Sequence, residues 1–205
     1  MRALIERSQL PVATFLVAHV FSDKADAAGV ELARDLGIPA RVLEAAKGID
    51  RSEYDRVLGN AIDECSPSLI VLAGFMRILS AAFVERYRGK ILNIHPSLLP
   101  KYPGLHTHRR AIEAREAEHG ATVHFVSEQL DGGPRIVQAR VAVAADDTEA
   151  TLSKRVLGQE HRIYPLAVSW FCEGRLRYSA GQAWLDGRPL VEPVQYSATA
   201  QERPP

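Results

Sequence analysis

Leu69-Ile70-Val71-Leu72-Ala73 is a short, unbroken apolar run flanked by segments with helical spacing. A run this short and this apolar reads as a strand of a parallel sheet covered on both faces. The same punctuation recurs through the first half of the chain. Val12 to Phe21 reads as a buried strand, Ala27 to Leu36 as a helix stopped by Gly37, and Arg41 to Leu43 as a short strand. Ser52 to Cys65 has the pattern of an amphipathic helix, Ala81 to Tyr87 of a short helix, and Ile91 to His95 of another strand. Met1 to Leu10 is helical in pattern but has no N-cap. Strands and helices in alternation predict a doubly wound, mostly parallel α/β sheet.

After His95 the rhythm changes. Ala121 to Val126 and Arg135 to Val143 are both strand-like, joined by a loop containing Asp131-Gly132-Gly133-Pro134, which signals an antiparallel hairpin. Thr148 to Phe171 returns to helical spacing with Leu152, Val156, Ile163, Ala167 and Trp170 on one face, and Pro165 predicts a kink or break. Tyr178 to Leu190 suggests an edge hairpin. Residues 1–190 read as one domain and 191–205 as a loose tail. Hydrophobic and charged residues make up 46% and 24% of the 205, values of an ordinary globular protein. Lys plus Arg equals Asp plus Glu, so no global field favours nucleic acid or an anionic membrane. No apolar stretch is long enough to span a bilayer, no signal peptide opens the chain, and Cys65 and Cys172 form no close motif. The expected location is the cytoplasm.

Side chains alternate along a strand, so Asn93 and His95 project to one face of the Ile91–His95 run, just before Pro96 stops it. A lone strand histidine reads as a satisfied core residue. Here Asn93 shares its face and the Pro-rich loop 97–104 follows, which favours a site at the carboxyl end of a strand. Asn donates to a developing oxyanion, and His donates or shuttles a proton near neutral pH. Asp131 reads first as a turn former. If the hairpin folds back over the sheet, its carboxylate approaches His95, and such a pair favours the charged form of both partners. His106, His108, His119 and His124 invite a metal reading, but His106-Thr107-His108 in a loop is a weak ligand signal that no Cys or closely spaced carboxylate completes, so no metal is expected. His124 shares a polar strand face with Thr122 and reads as a group supporting the site. Glu160 continues the row Leu152, Val156 at i, i+4 spacing, which puts a carboxylate on an apolar face. It either reaches water at a frayed helix or holds a substrate amine. Arg51, Arg77 and Lys101 lie in or beside loops, as solvated charges or anion contacts. Gly74 to Leu79 leaves the buried strand with apolar side chains suited to a flat ring or to the core.

Leu72-Ala73-Gly74-Phe75-Met76-Arg77-Ile78-Leu79 and Leu92-Asn93-Ile94-His95-Pro96-Ser97-Leu98-Leu99-Pro100-Lys101-Tyr102-Pro103-Gly104-Leu105-His106-Thr107-His108 closely resemble the phosphoribosylglycinamide formyltransferases. Gly120 to Phe125, Leu130 to Pro134, Gln159-Glu160-His161 and Tyr164-Pro165-Leu166 match too, and the similarity reaches about Gly187. The resemblance implies formyl transfer from 10-formyltetrahydrofolate to the amine of glycinamide ribonucleotide, in purine synthesis. It implies Asn93, His95 and Asp131 as the catalytic group. His95 protonates the departing folate nitrogen, and Asp131 keeps His95 charged. Folate is expected against Met76, Arg77, Ile78, Leu79, Asn93, Ser127, Glu128, Gln129, Leu130 and Asp131, with Arg51 and Lys101 near it. Leu157, Gly158, Gln159 and Glu160 are expected at the glycinamide end. The implied partners are small molecules alone, bound by a monomer or homodimer.

Members of that family open with a strand and a Gly-rich loop whose backbone N–H groups hold the substrate phosphate. Met1 falls within the helix that follows that loop, so the expectation is an upstream start, with a first strand absent from the chain as written. A folate-binding remnant and a sister formyl hydrolase are the alternative readings. A tRNA formyltransferase is expected to carry an added domain and a basic surface, which this chain lacks.

Overall fold

The computed structural model describes residues 1–197. The chain runs α1 (Arg2–Ser8), β1 (Val20–Ser22), α2 (Ala28–Asp35), β2 (Ala40–Val42), α3 (Arg51–Asp63), β3 (Ile70–Leu72), α4 (Ala81–Arg86) and β4 (Ile91–His95). It continues α5 (Thr107–Glu113), β5 (Glu118–Phe125), β6 (Arg135–Ala142), α6 (Glu149–Cys172), β7 (Leu176–Ser179), β8 (Gln182–Leu185), β9 (Arg188–Pro189) and β10 (Val194–Tyr196). The fold is α/β, with strands and helices alternating through β4.

Local chemistry sets where the main helices begin. The Asp50 carboxylate accepts the Ser52 N–H at 2.8 Å and opens α3, and the Ser80 hydroxyl accepts the Phe83 N–H at the start of α4. Thr148 and Thr151 exchange side-chain and backbone bonds as a capping box for α6. α1 has no side-chain cap, in line with its sequence.

β10-β6-β5-β4-β3 is the order of one five-stranded sheet. β3–β4 and β6–β10 pair in parallel, whereas β4–β5 and β5–β6 are antiparallel, so the sheet is mixed. β1 and β2 form a separate parallel pair. β7, β8 and β9 make a small antiparallel sheet, one strand more than the hairpin anticipated over Tyr178 to Leu190. The face of α6 read from the sequence (Leu152, Val156, Ile163, Ala167, Trp170) is buried against β5 and β6, in one cluster with Phe125, Ile136 and Val137. The α6 residue Tyr164 is pinned to the sheet as well: its hydroxyl donates toward the Leu72 and Leu92 carbonyls, at 2.7 and 3.0 Å.

Several local expectations are corrected. Of the anticipated strand Val12 to Phe21 only Val20 and Phe21 lie in a strand, β1, and Val12 and Leu16 are 71% and 75% exposed. An extended segment without a neighbour to complete its ladder has no strand to join. β3 is half-buried rather than covered on both faces, because it is the edge of its sheet among the described residues. α6 runs unbroken through Pro165; the carbonyl that proline leaves without its helical partner belongs to His161, an exposed residue, and the buried face on either side holds the helix. Thr107 and His108 lie in α5 rather than in a loop. Part of the anticipated loose tail is ordered: Val194–Tyr196 pairs with Val137–Ala139, and residues 198–205 lie outside the described residues.

Candidate active site

In the antiparallel pairing of β4 with β5, Asn93 stands opposite His124 and His95 opposite Thr122. Thr122 in turn stands opposite Gln138 of β6. Strand parity therefore gathers Asn93, His95, Thr122, His124 and Gln138 on one face of the sheet. Two of them hold the loop that follows β4. The Thr122 hydroxyl donates to the Ser97 carbonyl at 2.7 Å and accepts the Leu99 N–H at 3.1 Å. The Gln138 amide donates to the Leu99 carbonyl at 2.8 Å and to Thr122 at 3.0 Å. With the loop fastened, its Tyr102 carbonyl sits 2.8 Å from His95 Nε2. A carbonyl only accepts, so Nε2 carries the proton of that bond.

Asp131 arrives from the loop between β5 and β6. Its Oδ2 lies 3.4 Å from His95 Nδ1, an ion-pair distance, with the two side chains 8% and 7% exposed. The same oxygen accepts the Gly104 N–H at 2.8 Å, which ties this loop to the one after β4. Asp131 sits at φ +52, a left-handed conformation that Asp tolerates better than most residues. Both nitrogens of His95 thus face acceptors, the complement of the doubly protonated ring.

Gly133 makes this approach possible. A Cβ there would stand 1.9 Å from the Phe125 carbonyl oxygen, a backbone atom that no rotamer change removes. Gly133→Ala is expected to cost about 1–3 kcal/mol of stability as the loop shifts. Transfer activity is expected to fall with it, because Asp131 moves with the loop; a urea midpoint and specific activity both equal to the parent's would contradict this.

The geometry stands beside a clear kinship. A family model described as formyl transferase matches residues 1–168. This chain belongs to the formyl transferase family. It is 53% identical over 198 residues to the phosphoribosylglycinamide formyltransferase of Escherichia coli (strain K12), covering 97% of this chain and 93% of that one. It superposes on the phosphoribosylglycinamide formyltransferase structure from Coxiella burnetii with a TM-score of 0.90 and 45% identity, over 96% of this chain and 92% of that one. A formyltetrahydrofolate deformylase from Pseudomonas putida matches with a TM-score of 0.80 at 27% identity, over 90% and 65%.

Within this formyl transferase the other anticipated residues are spread around that face. Met76 and Ile78 are exposed and Leu79 half-buried, in the segment that leaves β3. Arg77 lies 3.8 Å from Asp23 and stacks over the Tyr54 ring at 4.3 Å. Ser127 is half-buried and Glu128, Gln129 and Leu130 are exposed, on the loop that ends in Asp131. A cavity of about 250 Å³ is lined by Val84, Val126, Ser127, Glu128 and Gln129 among others. A larger hollow of about 410 Å³, on the surface of α2, is lined by none of the anticipated residues. Lys101 is engaged by both Glu116 oxygens at 2.8 Å. Arg51 opens α3, exposed and without a bond to His95 or Asp131 among the described residues. Leu157 and Gly158 are exposed on α6, while Gln159 and Glu160 are half-buried. Glu160 precedes Tyr164 by one helical turn and so projects on the side that docks against β3 and β4. Burial holds its carboxyl above the usual carboxylate range, against the pull of the Met1 ammonium.

Gln138, Tyr164 and the Tyr102 carbonyl escaped the sequence reading. Gln138 had one signal, a lone uncharged polar residue between Val137 and Ala139, but its partners are set by register. His119, weighed from the sequence only as a metal ligand, has a different setting. It is 1% exposed, and its ring packs edge-on against His108 at 5.2 Å. Burial and the neighbouring His108 push its pKa down to about 4, against a hydrogen bond to Pro96 that pulls it up. Above pH about 6.5 His119 is neutral in folded and unfolded chains alike, with no pH-dependent effect. As pH falls from there toward 4, the unfolded chain takes up a proton that the folded site refuses, so stability drops, by up to about 3 kcal/mol. Buried His124, also pushed down, acts with the same sign. Urea unfolding at pH about 7.5 and about 5 is expected to show the lower midpoint at the acid pH; equal midpoints would contradict the assignment.

Proposed function

We propose that this formyl transferase moves a formyl group from 10-formyltetrahydrofolate to the amine of glycinamide ribonucleotide. The observation that carries the reading is the convergence of Asn93, His95 and Asp131 from one strand and a loop onto the carboxyl end of β4. The acceptor amine attacks the formyl carbon, and negative charge develops on the formyl oxygen. Asn93 donates an N–H to that oxygen. His95, doubly protonated between Asp131 and the Tyr102 carbonyl, stabilises the same charge and gives a proton to the folate nitrogen as its bond to the formyl carbon breaks; the proton shed by the attacking amine restores the ring. Asp131 stays ionised and holds the ring. The folate lies against Met76 to Leu79 and Ser127 to Asp131, beside the cavity at Val84 and Val126, with Arg51 and Lys101 toward its anionic end. Leu157 to Glu160 face the glycinamide, where the Glu160 carboxylate receives the amine.

Folate product formation, followed with and without glycinamide ribonucleotide, tests this. Turnover that requires the acceptor and yields the formylated amine is expected. Acceptor-independent release of formate would make the chain a hydrolase, and folate binding with no turnover would make it a binding remnant.

A further inference from the structure

His124 stands directly opposite Asn93 in the sheet, and its Nε2 lies 3.2 Å from the Asn93 amide nitrogen. Its other ring nitrogen, Nδ1, lies 2.9 Å from the Phe125 carbonyl. Register slips between Val123 and His124: Val123 faces Val137 while His124 faces Arg135, leaving Ile136 over. Irregularities of this kind re-aim a side chain next to a site.

These contacts leave little freedom. The Phe125 carbonyl only accepts, so Nδ1 carries a proton. A second proton on Nε2 would place a charge on a ring whose side chain is 3% exposed; Asp131 Oδ1, 3.8 Å from Nε2, favours that charge, but burial outweighs it and pushes His124 toward the neutral form. Nε2 is therefore a bare acceptor. Of the two ends of the Asn93 amide, only the NH₂ can satisfy it, since the amide oxygen would meet a lone pair.

We propose that His124 is a positioning residue for formyl transfer: held in its Nδ1-protonated form by the Phe125 carbonyl, it sets the amide orientation of Asn93, so that one N–H is spent on His124 and the second is presented to the developing oxyanion. The inference rests on Asn93 acting as the oxyanion donor. With His124 unable to accept, the amide is free to turn, and its oxygen then faces the charge it ought to stabilise. Transition-state binding suffers while the ground-state substrates, which touch neither nitrogen of His124, bind as before.

Two substitutions separate the ring nitrogens. His124→Gln keeps an acceptor where Nε2 stands, whereas His124→Asn keeps a donor for Phe125 and offers Asn93 nothing. His124→Asn is expected to lower kcat by about tenfold or more, below the 10²–10³-fold typical of removing an oxyanion donor outright, with KM for both substrates within about threefold. His124→Gln is expected to recover most of the loss. On an Asn93→Ala background, His124→Asn is expected to add less than about threefold, because its partner is already gone. Equal losses in the Gln and Asn variants, wild-type turnover in His124→Asn, or losses that multiply on the Asn93→Ala background would each overturn the role of His124. Wild-type turnover in Asn93→Ala would instead overturn the oxyanion reading beneath it. The unmutated protein supplies a check that no folding defect touches: ¹⁵N resonances of labelled histidine are expected to show His124 protonated at Nδ1 and bare at Nε2, and the reverse tautomer would overturn the proposal.

Discussion

His95→Ala is expected to lower kcat for formyl transfer by on the order of 10²–10⁴-fold, the range that a positioned proton donor contributes, while folate binding stays within a few-fold of the parent. The His95 ring is buried between the Tyr102 carbonyl at 2.8 Å and the Asp131 carboxylate at 3.4 Å, so the acid is oriented before substrate arrives. Alanine removes the donor and leaves Asp131 bonded to the Gly104 N–H. Of the folate surface assigned to Met76 to Leu79 and Ser127 to Asp131, Asp131 alone is placed against His95, and it stays held by the Gly104 N–H, so affinity for folate is expected to survive. Steady-state kinetics together with fluorescence titration of a folate analogue check both halves. Turnover within about tenfold of the parent would remove His95 from the mechanism; lost folate binding would make it a structural residue.

Asp131→Asn is expected to lower kcat at neutral pH by on the order of 10²-fold or more, approaching the ~10⁴ seen when the carboxylate of a buried Ser-His-Asp triad is made an amide. The variant keeps shape and volume, so the Gly104 contact has a replacement oxygen. That oxygen, in the place of Oδ2, also faces His95 Nδ1, but the amide is neutral, so the charge that favoured the protonated ring is gone. The pair stops favouring the doubly protonated ring, and the acid is lost. A rate near the parent's across the pH range, with the protein shown to be folded, would leave Asp131 as the turn former that its Asp-Gly context first suggested.

Much of the site is legible in the order of residues. The Asn93–His95 pair follows from strand parity, and parity is a property of the chain within one element. The apolar row of α6 follows from 3.6-residue spacing in the same way, and its five residues are buried. Asp131 can be nominated from its loop but not placed: whether a hairpin loop folds over a sheet depends on packing that a local pattern does not contain. The distances that matter, from His95 to Asp131 and from His124 to Asn93, join residues 36 and 31 positions apart.

The misreadings divide along the same line. Val12 to Phe21 has the composition of a strand, yet most of it lies unpaired and half of it exposed, because a strand exists only where another strand offers its backbone. Pro165 removes a hydrogen bond that α6 does without, since burial on either side outweighs one missing N–H. Val194–Tyr196 became a strand for the opposite reason: β6 presented a free edge.

From the sequence alone came the α/β alternation, the apolar row of α6 and the sharing of one face by Asn93 and His95. Each rests on forces acting within a few residues, namely turn chemistry and side-chain periodicity. Tertiary structure alone decided the β4–β5 register that sets His124 against Asn93, the close approach at Gly133 that brings Asp131 to His95, and the fastening of the 97–102 loop by Thr122 and Gln138. Those depend on which distant backbone groups meet once the core has closed. A shift of one residue in register would turn every one of these side chains to the other face of the sheet.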